Sequence, residues 1–231
     1  MRETFKDLIK ARLPWAVEAY RAIRRKAKSR PVEDVFTGIY HQKGWGQGES
    51  VSGSGSSLAW TTKIRAELPK LIADYGVKTL LDAPCGDFNW MSHLHLELDH
   101  YTGIDVVAAL IEANKLRFTA PNRTFAVGDI IVDPLPRADL IMCRHCFIHL
   151  TLDQGVAALR NFKRTGARYV LLTHTPGVAA NSEIEFTGSY RPVNMERPPF
   201  SFGPALRVLD DTHTPGDTAT LALYDLQRFS G

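Results

Sequence analysis

From about residue 63 the hydrophobic and polar positions alternate between two periods, one helical and one extended. IRAELPKLIADYG patterns as a helix, VKTLLDA is a short apolar run that predicts a strand, and WMSHLHLEL predicts a second helix. YTGID, RTFAVGDI, ADLIMCRHC and ARYVLLTH predict further strands, with helices over VVAALIEANKLRF and LTLDQGVAALRNFKRTG between them. Short strand-like runs separated by helices of ten to fifteen residues indicate βαβ units and a mostly parallel sheet with helices on both faces. The last two runs differ. PALRVLDDT and TATLALYDLQRF face each other across HTPGD, whose Pro-Gly-Asp favours a turn, so an antiparallel hairpin is expected at the C-terminal end.

The N-terminal segment follows another logic. Phe5, Ile9, Leu13, Val17, Tyr20, Ile23 and Ala27 recur at steps of three or four, one stripe on a helix whose other faces are crowded with basic residues. Pro14 interrupts it, which predicts two short helices or a kink near Leu13, with Arg30-Pro31 as the exit. Three regions are therefore expected: a basic amphipathic helical arm over 1–35, a Gly/Ser-rich segment over 36–62, and an α/β domain over 63–231.

Charge sharpens that division. The formal net charge is +3 over 231 residues. Residues 1–30 hold ten Lys/Arg against three acidic residues, and the other 201 hold 18 basic against 22 acidic. A basic arm on a mildly acidic body points to an anionic membrane surface or phosphate-rich polymer for the arm, or to packing of its stripe on the domain or on a second subunit. The acidic body argues against a nucleic-acid groove. Three cysteines, Cys85, Cys143 and Cys146, with no paired CxxC, imply a reducing compartment and no zinc site. No run of eighteen apolar residues appears, so a cytoplasmic protein is expected, peripheral to a membrane if the arm engages one.

In open α/β sheets ligands bind at the carboxyl ends of the strands. Those ends are Asp82, Asp105, Asp129, the stretch Arg144 to Cys146, and His174; the three aspartates are spaced by 23 and 24 residues. LLDAPCGDFNW, YTGIDVV, FAVGDI and ADLIMCRHCFIHL together resemble, in order and spacing, the class I S-adenosylmethionine-dependent methyltransferases over roughly residues 78–174. ESVSGSGS, Glu49 to Ser56, resembles the ESxSGxGS segment carried by small bacterial small-molecule methyltransferases of that class. The resemblance implies a Rossmann-like, seven-stranded sheet whose seventh strand is antiparallel, and S-adenosylmethionine as cofactor, leaving as S-adenosylhomocysteine.

It also implies residue roles. The turn after the first strand supplies Asp82, Ala83, Pro84 and Gly86; Asp105 with Val106 would take the ribose hydroxyls; Gly128, Asp129 and Ile130 would meet the adenine; Cys143 ends the fourth strand. Two glycines usual in that turn are replaced by Pro84 and Phe88, which also weakens a dinucleotide reading, since GxGxxG needs its glycines for pyrophosphate approach. The Gly/Ser-rich segment is expected to act as a lid, with Trp45, Ser52 and Gly53 as contacts and Arg65 as a carboxylate partner.

The acceptor side is expected at the fourth and fifth strand ends. Transfer to a hydroxyl requires a base, and His145, His149 and His174 are the candidates. His145 and His149, four apart, could share a helix face, but no carboxylate completes HExxH, so no metal is expected. The long connection from Thr175 to Pro204 mixes aromatic and charged residues and is expected to cover the acceptor, with Arg144, Glu183, Tyr190 and Arg191 as contacts. The fourth strand is followed by CRHC rather than the Asp/Asn-Pro-Pro-aromatic segment that nucleic-acid or amide N-methylation in this fold employs, so the resemblance implies O-methylation of a small molecule or a sugar or glycan precursor, with N-methylation of a small amine or RNA, or a non-catalytic cofactor-binding module, as the alternatives.

Overall fold

A computed structural model of the chain describes residues 30–46, 48–212 and 218–231. The basic stripe from Phe5 to Ala27, the break at Pro14 and the HTPGD turn lie outside the described residues. Seven strands form one sheet: β1 (Thr79–Asp82), β2 (His100–Asp105), β3 (Arg123–Val127), β4 (Leu140–Cys143), β5 (Tyr169–His174), β6 (Arg207–Asp210) and β7 (Thr220–Asp225). Their order is β3-β2-β1-β4-β5-β7-β6, with β1 to β5 parallel and β7 antiparallel to both β5 and β6. The strand order reverses between β1 and β4, which opens the crevice where such sheets bind ligands.

Four helices flank the sheet among the described residues: α1 (Val32–His41), α2 (Thr62–Asp74), α3 (Ala108–Phe118) and α4 (Leu152–Arg164). Ile64, Leu68, Leu71 and Ile72 form one face of α2 and join Ile111 of α3 over Leu80, Leu140, Met142 and Leu171. Ala158, Leu159 and Phe162 of α4 cover the opposite face over Leu81, Ile141, Val170 and Leu172. With both faces covered, β4 is buried at all four positions, which accounts for its unbroken apolar run. A reciprocal capping box starts α4: the Thr151 hydroxyl accepts from the Gln154 amide and the Gln154 side chain accepts from the Thr151 amide. None of the described helices is long and apolar enough to cross a membrane.

The structure differs from the pattern reading in three places. WMSHLHLEL is not a helix; it holds one 3-10 turn, Met91–His93, and then runs without regular structure. Leu94, Leu96 and Leu98 are half-buried against the α2 side while His95 and Glu97 are exposed, so the local period is two rather than 3.6. α1, which the pattern did not predict, leaves from Pro31 and runs across the expected boundary between 35 and 36. α2 begins at Thr62, two residues ahead of the IRAELPKLIADYG run, after turns over Ser57 to Thr61.

Candidate active site

The sheet register sets Asp82 beside Gly103 and Met142, and Asp105 beside Val127, so the aspartates of β1 and β2 end on one edge. The turn after β1 folds back on them. Gly86 donates its amide to one Asp105 oxygen at 3.1 Å, and Val107 donates to the other at 2.9 Å. Gly86 has φ +54, and a Cβ there would run into the Ser52 side chain, so any other residue would be strained and would have to displace Ser52. Phe88 also holds a left-handed φ of 57, kept there by packing: its ring lies 5.1 to 5.2 Å from those of Tyr101, Phe118 and Phe125. An aromatic anchor thus holds the turn at the position where the resemblance leads one to expect a glycine.

Burial governs the charges here. Asp105 is pushed up to about 6 by burial, against the pull of the Val107 and Gly86 amides. Asp82 is pushed up to about 7 by burial, partly countered by the Tyr101 hydroxyl that donates to it at 2.7 Å, and reinforced by neighbouring Asp105. Asp129, half-buried two residues beyond β3, is raised by burial against the Ile131 amide, with Asp133 and Glu33 adding to the rise. Three acids whose charged forms are desolvated mark a functional-site candidate.

The Gly/Ser-rich segment closes over this edge and is fastened at several points. Asp87 accepts from the Ser50 hydroxyl at 2.8 Å and the Val51 amide at 2.9 Å, while the Asp87 amide donates to the Ser52 hydroxyl at 3.0 Å. Asn89 donates to Glu49 and to the Ser56 carbonyl. At the far end, Arg144 donates to the Gly55 carbonyl at 2.8 Å. Beneath lies a cavity of about 470 Å³, within the usual range for small-ligand sites.

The β4 end supplies the other half. Arg144 pairs bidentately with Asp211, Nε to Oδ2 at 2.9 Å and Nη2 to Oδ1 at 2.7 Å, and its guanidinium lies 5.6 Å over the Trp90 ring. His145 Nε2 lies 3.3 Å from the same Asp211 Oδ2. The His145 amide donates to the Thr173 hydroxyl at 2.7 Å, holding a backbone φ of 52. Burial opposes the Asp211 charge, yet His145 and Arg144 outweigh it and hold the carboxyl below its ordinary value. A row of rings, Phe36, Trp45, His149 and Tyr190, with centroids 5.8 to 6.2 Å apart, lines one wall. His149 Nδ1 donates to the Ser189 carbonyl, and burial lowers its pKa.

Of the residues expected from the sequence, Trp45, Ser52, Gly53, Asp82, Pro84, Gly86, Asp105, Val106, Gly128, Asp129, Ile130, Arg144, His145, His149 and Tyr190 all line this cavity. Six do not. Ala83 and Cys143 are fully buried in the core. Arg65 donates to the Leu58 carbonyl and the Thr61 hydroxyl, bracing the start of α2 rather than reaching a ligand. His174 is buried, and its Nδ1 accepts from the Met195 amide, which occupies the lone pair a base would need. Glu183 caps α4 through the Leu152 amide, and Arg191 is buried with Nη1 on the Leu150 carbonyl. His145 and His149 do not share a helix face; the chain passes from β4 through a left-handed residue into one 3-10 turn, Phe147–His149.

The sequence reading missed Asp211, Gly55, Trp90, and the α1 residues Val32 and Phe36. Asp211 had a signal. Val208 is exposed, Leu209 buried, Asp210 exposed and Asp211 buried, so β6 alternation continued by one step points an aspartate inward.

No family model and no curated protein matches this chain. Solved structures do. Magnesium protoporphyrin IX methyltransferase (ChlM) from Synechocystis PCC 6803, with bound SAH, is 12% identical, with a TM-score of 0.59 over 84% of this chain and 97% of that one. Human N-acetylserotonin methyltransferase, in complex with SAM, is 14% identical, with a TM-score of 0.52 over 94% of this chain and 68% of that one. N-methyltransferase NodS from Bradyrhizobium japonicum WM9 is 16% identical, with a TM-score of 0.50 over 72% and 96%. At these identities the likeness is one of fold: a Rossmann-like sheet of the class I methyltransferase kind.

Proposed function

We propose that this chain, whose fold is that of the class I methyltransferases, is an S-adenosylmethionine-dependent methyltransferase acting on a hydroxyl of a small molecule or a sugar or glycan precursor. The observation that supports it is the meeting of two chemistries in one cavity: the Asp105 and Asp129 strand ends on one side, and His145 on the other.

The residues present fit the cofactor. A nucleoside offers hydroxyl and amine donors, and Asp105 and Asp129 are acceptors at adjacent strand ends. Gly86 forms a cradle that any Cβ would fill. Ser52, Gly53 and Ser54, which line the cavity, offer amides and hydroxyls to an amino-acid carboxylate. When bound, the cofactor supplies a sulfonium methyl: the acceptor oxygen bonds to the methyl carbon, the carbon–sulfur bond breaks, and its electron pair stays on sulfur.

The chain's own work is placement and proton removal. Trp45 and Tyr190 present ring faces to the acceptor, and Tyr190, 69% exposed, stands at the mouth with Trp60, 37% exposed. Aromatic faces at a mouth suit the flat faces of a sugar ring. His145 takes the hydroxyl proton. General-base assistance of this kind contributes about 100-fold to 10,000-fold.

Calorimetric titration tests the reading. Asp105→Ala should weaken S-adenosylmethionine binding by about tenfold or more, the value of a charge-assisted hydrogen bond lost. Unchanged affinity overturns it. A release assay for S-adenosylhomocysteine against sugars, phenols and amines then identifies the acceptor, with His145→Ala expected to lower turnover by about 100-fold while cofactor affinity stays the same.

A further inference from the structure

We infer that the basic arm docks on its own domain: residues 15–27 lie as a helix along the face of the sheet that β2 and β3 leave uncovered, apolar stripe down and charges outward. The inference stands apart from the methyl-transfer reading and does not depend on it.

At this edge the two faces of the sheet are covered unequally. Tyr101 of β2 and Phe125 of β3 turn to the α2–α3 side and are buried there with Ile111. By strand alternation Thr102, Thr124 and Ala126 turn to the other face, the one α4 covers over β1, β4 and β5. Over β2 and β3 no helix among the described residues reaches that face: Thr124 and Ala126 are exposed, and the β3–β4 connection, 128–139, holds no helix. The connection instead places Pro134, Leu135 and Pro136 along a groove of about 840 Å³ whose floor is Thr102, Thr124 and Ala126. The Thr124 hydroxyl is already engaged by His100 Nε2 at 2.9 Å, so an apolar occupant strands no donor there. Val127, 47% exposed, lines the groove, and Val132, 69% exposed, precedes groove-lining Asp133, so this end leaves large apolar side chains in solvent.

Where the arm joins the domain selects it as the occupant. α1 begins at Val32, which lines the cavity with Asp129 and Ile130, and the charge of Glu33 acts on Asp129. Gly128 lines cavity and groove alike, so the arm enters the domain beside the β3 end of the groove. Its reach is sufficient: Trp15 to Ala27, the half beyond Pro14, spans about 20 Å as a helix, against about 17 Å for β3. Val17, Tyr20, Ile23 and Ala27 form the stripe of that half, mostly large side chains to set over a floor of threonine and alanine. Charge agrees. Asp133 lines the groove at one end and exposed Asp99 adjoins groove-lining His100 at the other, while Arg137 is the one Lys or Arg lining it among the described residues. The arm half carries Arg21, Arg24, Arg25 and Lys26 against Glu18.

Hydrogen–deuterium exchange of the full chain, read peptide by peptide, tests the docking. At low protein concentration and without lipid, amides of residues 15–27 should exchange about tenfold or more slowly than in a free peptide of that sequence. Ala126→Arg puts a charge on the groove floor and should return those amides to the free rate, while Val208→Arg, on the exposed edge strand β6, should leave them protected. In the reciprocal variant, Tyr20→Ser with Ile23→Ser, residues 123–127 should exchange faster, and this variant decides if Ala126→Arg does not fold. Arm amides exchanging at the free rate in the unmodified protein overturn the inference, as does protection that folded Ala126→Arg leaves intact. Protection that grows with protein concentration assigns the stripe to a second copy of the chain, and protection found only on vesicles of anionic lipid assigns it to a membrane surface; either result overturns the docking.

Discussion

Arg144 and Asp211 form a two-point ion pair sealed from solvent, with side chains 5% and 0% exposed, across the gap between the β4 end and the segment after β6. Desolvating two charges costs nearly what their attraction returns, so the pair's worth lies in what each does to the other if left alone. Arg144→Met should destabilise the fold by about 3–5 kcal/mol, because it strands a buried carboxylate. Arg144→Met with Asp211→Leu should recover most of that loss in a chemical denaturation series, although His145 loses its partner. A double variant as unstable as the single one would contradict this.

Cofactor binding should depend on acid below neutrality. Asp105 sits near 6 because burial disfavours its charge, and in the role proposed for it the ionised form is the one that would accept from the cofactor's hydroxyls. As pH falls below about 6, the dissociation constant for S-adenosylmethionine should rise by up to about tenfold per pH unit. Asp105→Asn should bind more weakly and show a flatter profile from pH 5 to 8 by calorimetry.

Asp82 gives a stability signature of opposite kind. Its folded-state pKa of about 7, raised chiefly by burial, stands above the ordinary carboxylate value. The folded chain therefore keeps a proton that the unfolded chain releases, so the associated stability is present below pH 4 and lost as pH rises through 7. Asp82→Asn carries no such dependence. Its melting temperature relative to the unmodified protein should shift upward between pH 5 and pH 8, and a constant difference would show that Asp82 is not held protonated.

Gly86→Ala places a methyl group 2.4 Å from the Ser52 hydroxyl at a left-handed φ of +54. The Ser52 hydroxyl would leave the Asp87 amide, and the wall over the cavity would be displaced with it. Affinity for S-adenosylmethionine should fall about tenfold or more. Adding Ser52→Gly removes the clash and should restore part of that affinity, leaving a backbone strain of about 1–2 kcal/mol in the melting data.

What could be read in advance follows from how locally each feature is encoded. The strands β1, β4 and β5 announce themselves because a parallel strand covered on both faces is largely apolar, and the Asp82 that ends β1 stands out against that background. The Met91–Leu98 region misled because its leucines at 94, 96 and 98 mix a period of two with a helical-looking start at Trp90 and Met91. Arg65 and Glu183 drew attention as charged residues near the site, yet each is spent on helix-end backbone groups a few residues away or across a loop. Asp211 was hidden for the converse reason. Its partner lies 67 residues away, and only the sheet order that sets β4 near the β6–β7 pair brings them together. Phe36 reaches the cavity through a helix whose stripe has no nearby strand to explain it.

The hydrogen bond from Arg144 to the Gly55 carbonyl joins residues 89 positions apart. A chain in which β1 has not yet met β4 has no Arg144 to fasten the Gly/Ser-rich wall, and so has no enclosed cavity to offer. Any ligand needing both halves of that wall recognises the finished fold and ignores its precursors. By mass action it then raises the cost of unfolding, by about 2.7 kcal/mol at a hundred times its dissociation constant. Occupancy and intactness become a single quantity, and a thermal-shift reading of this protein measures them together.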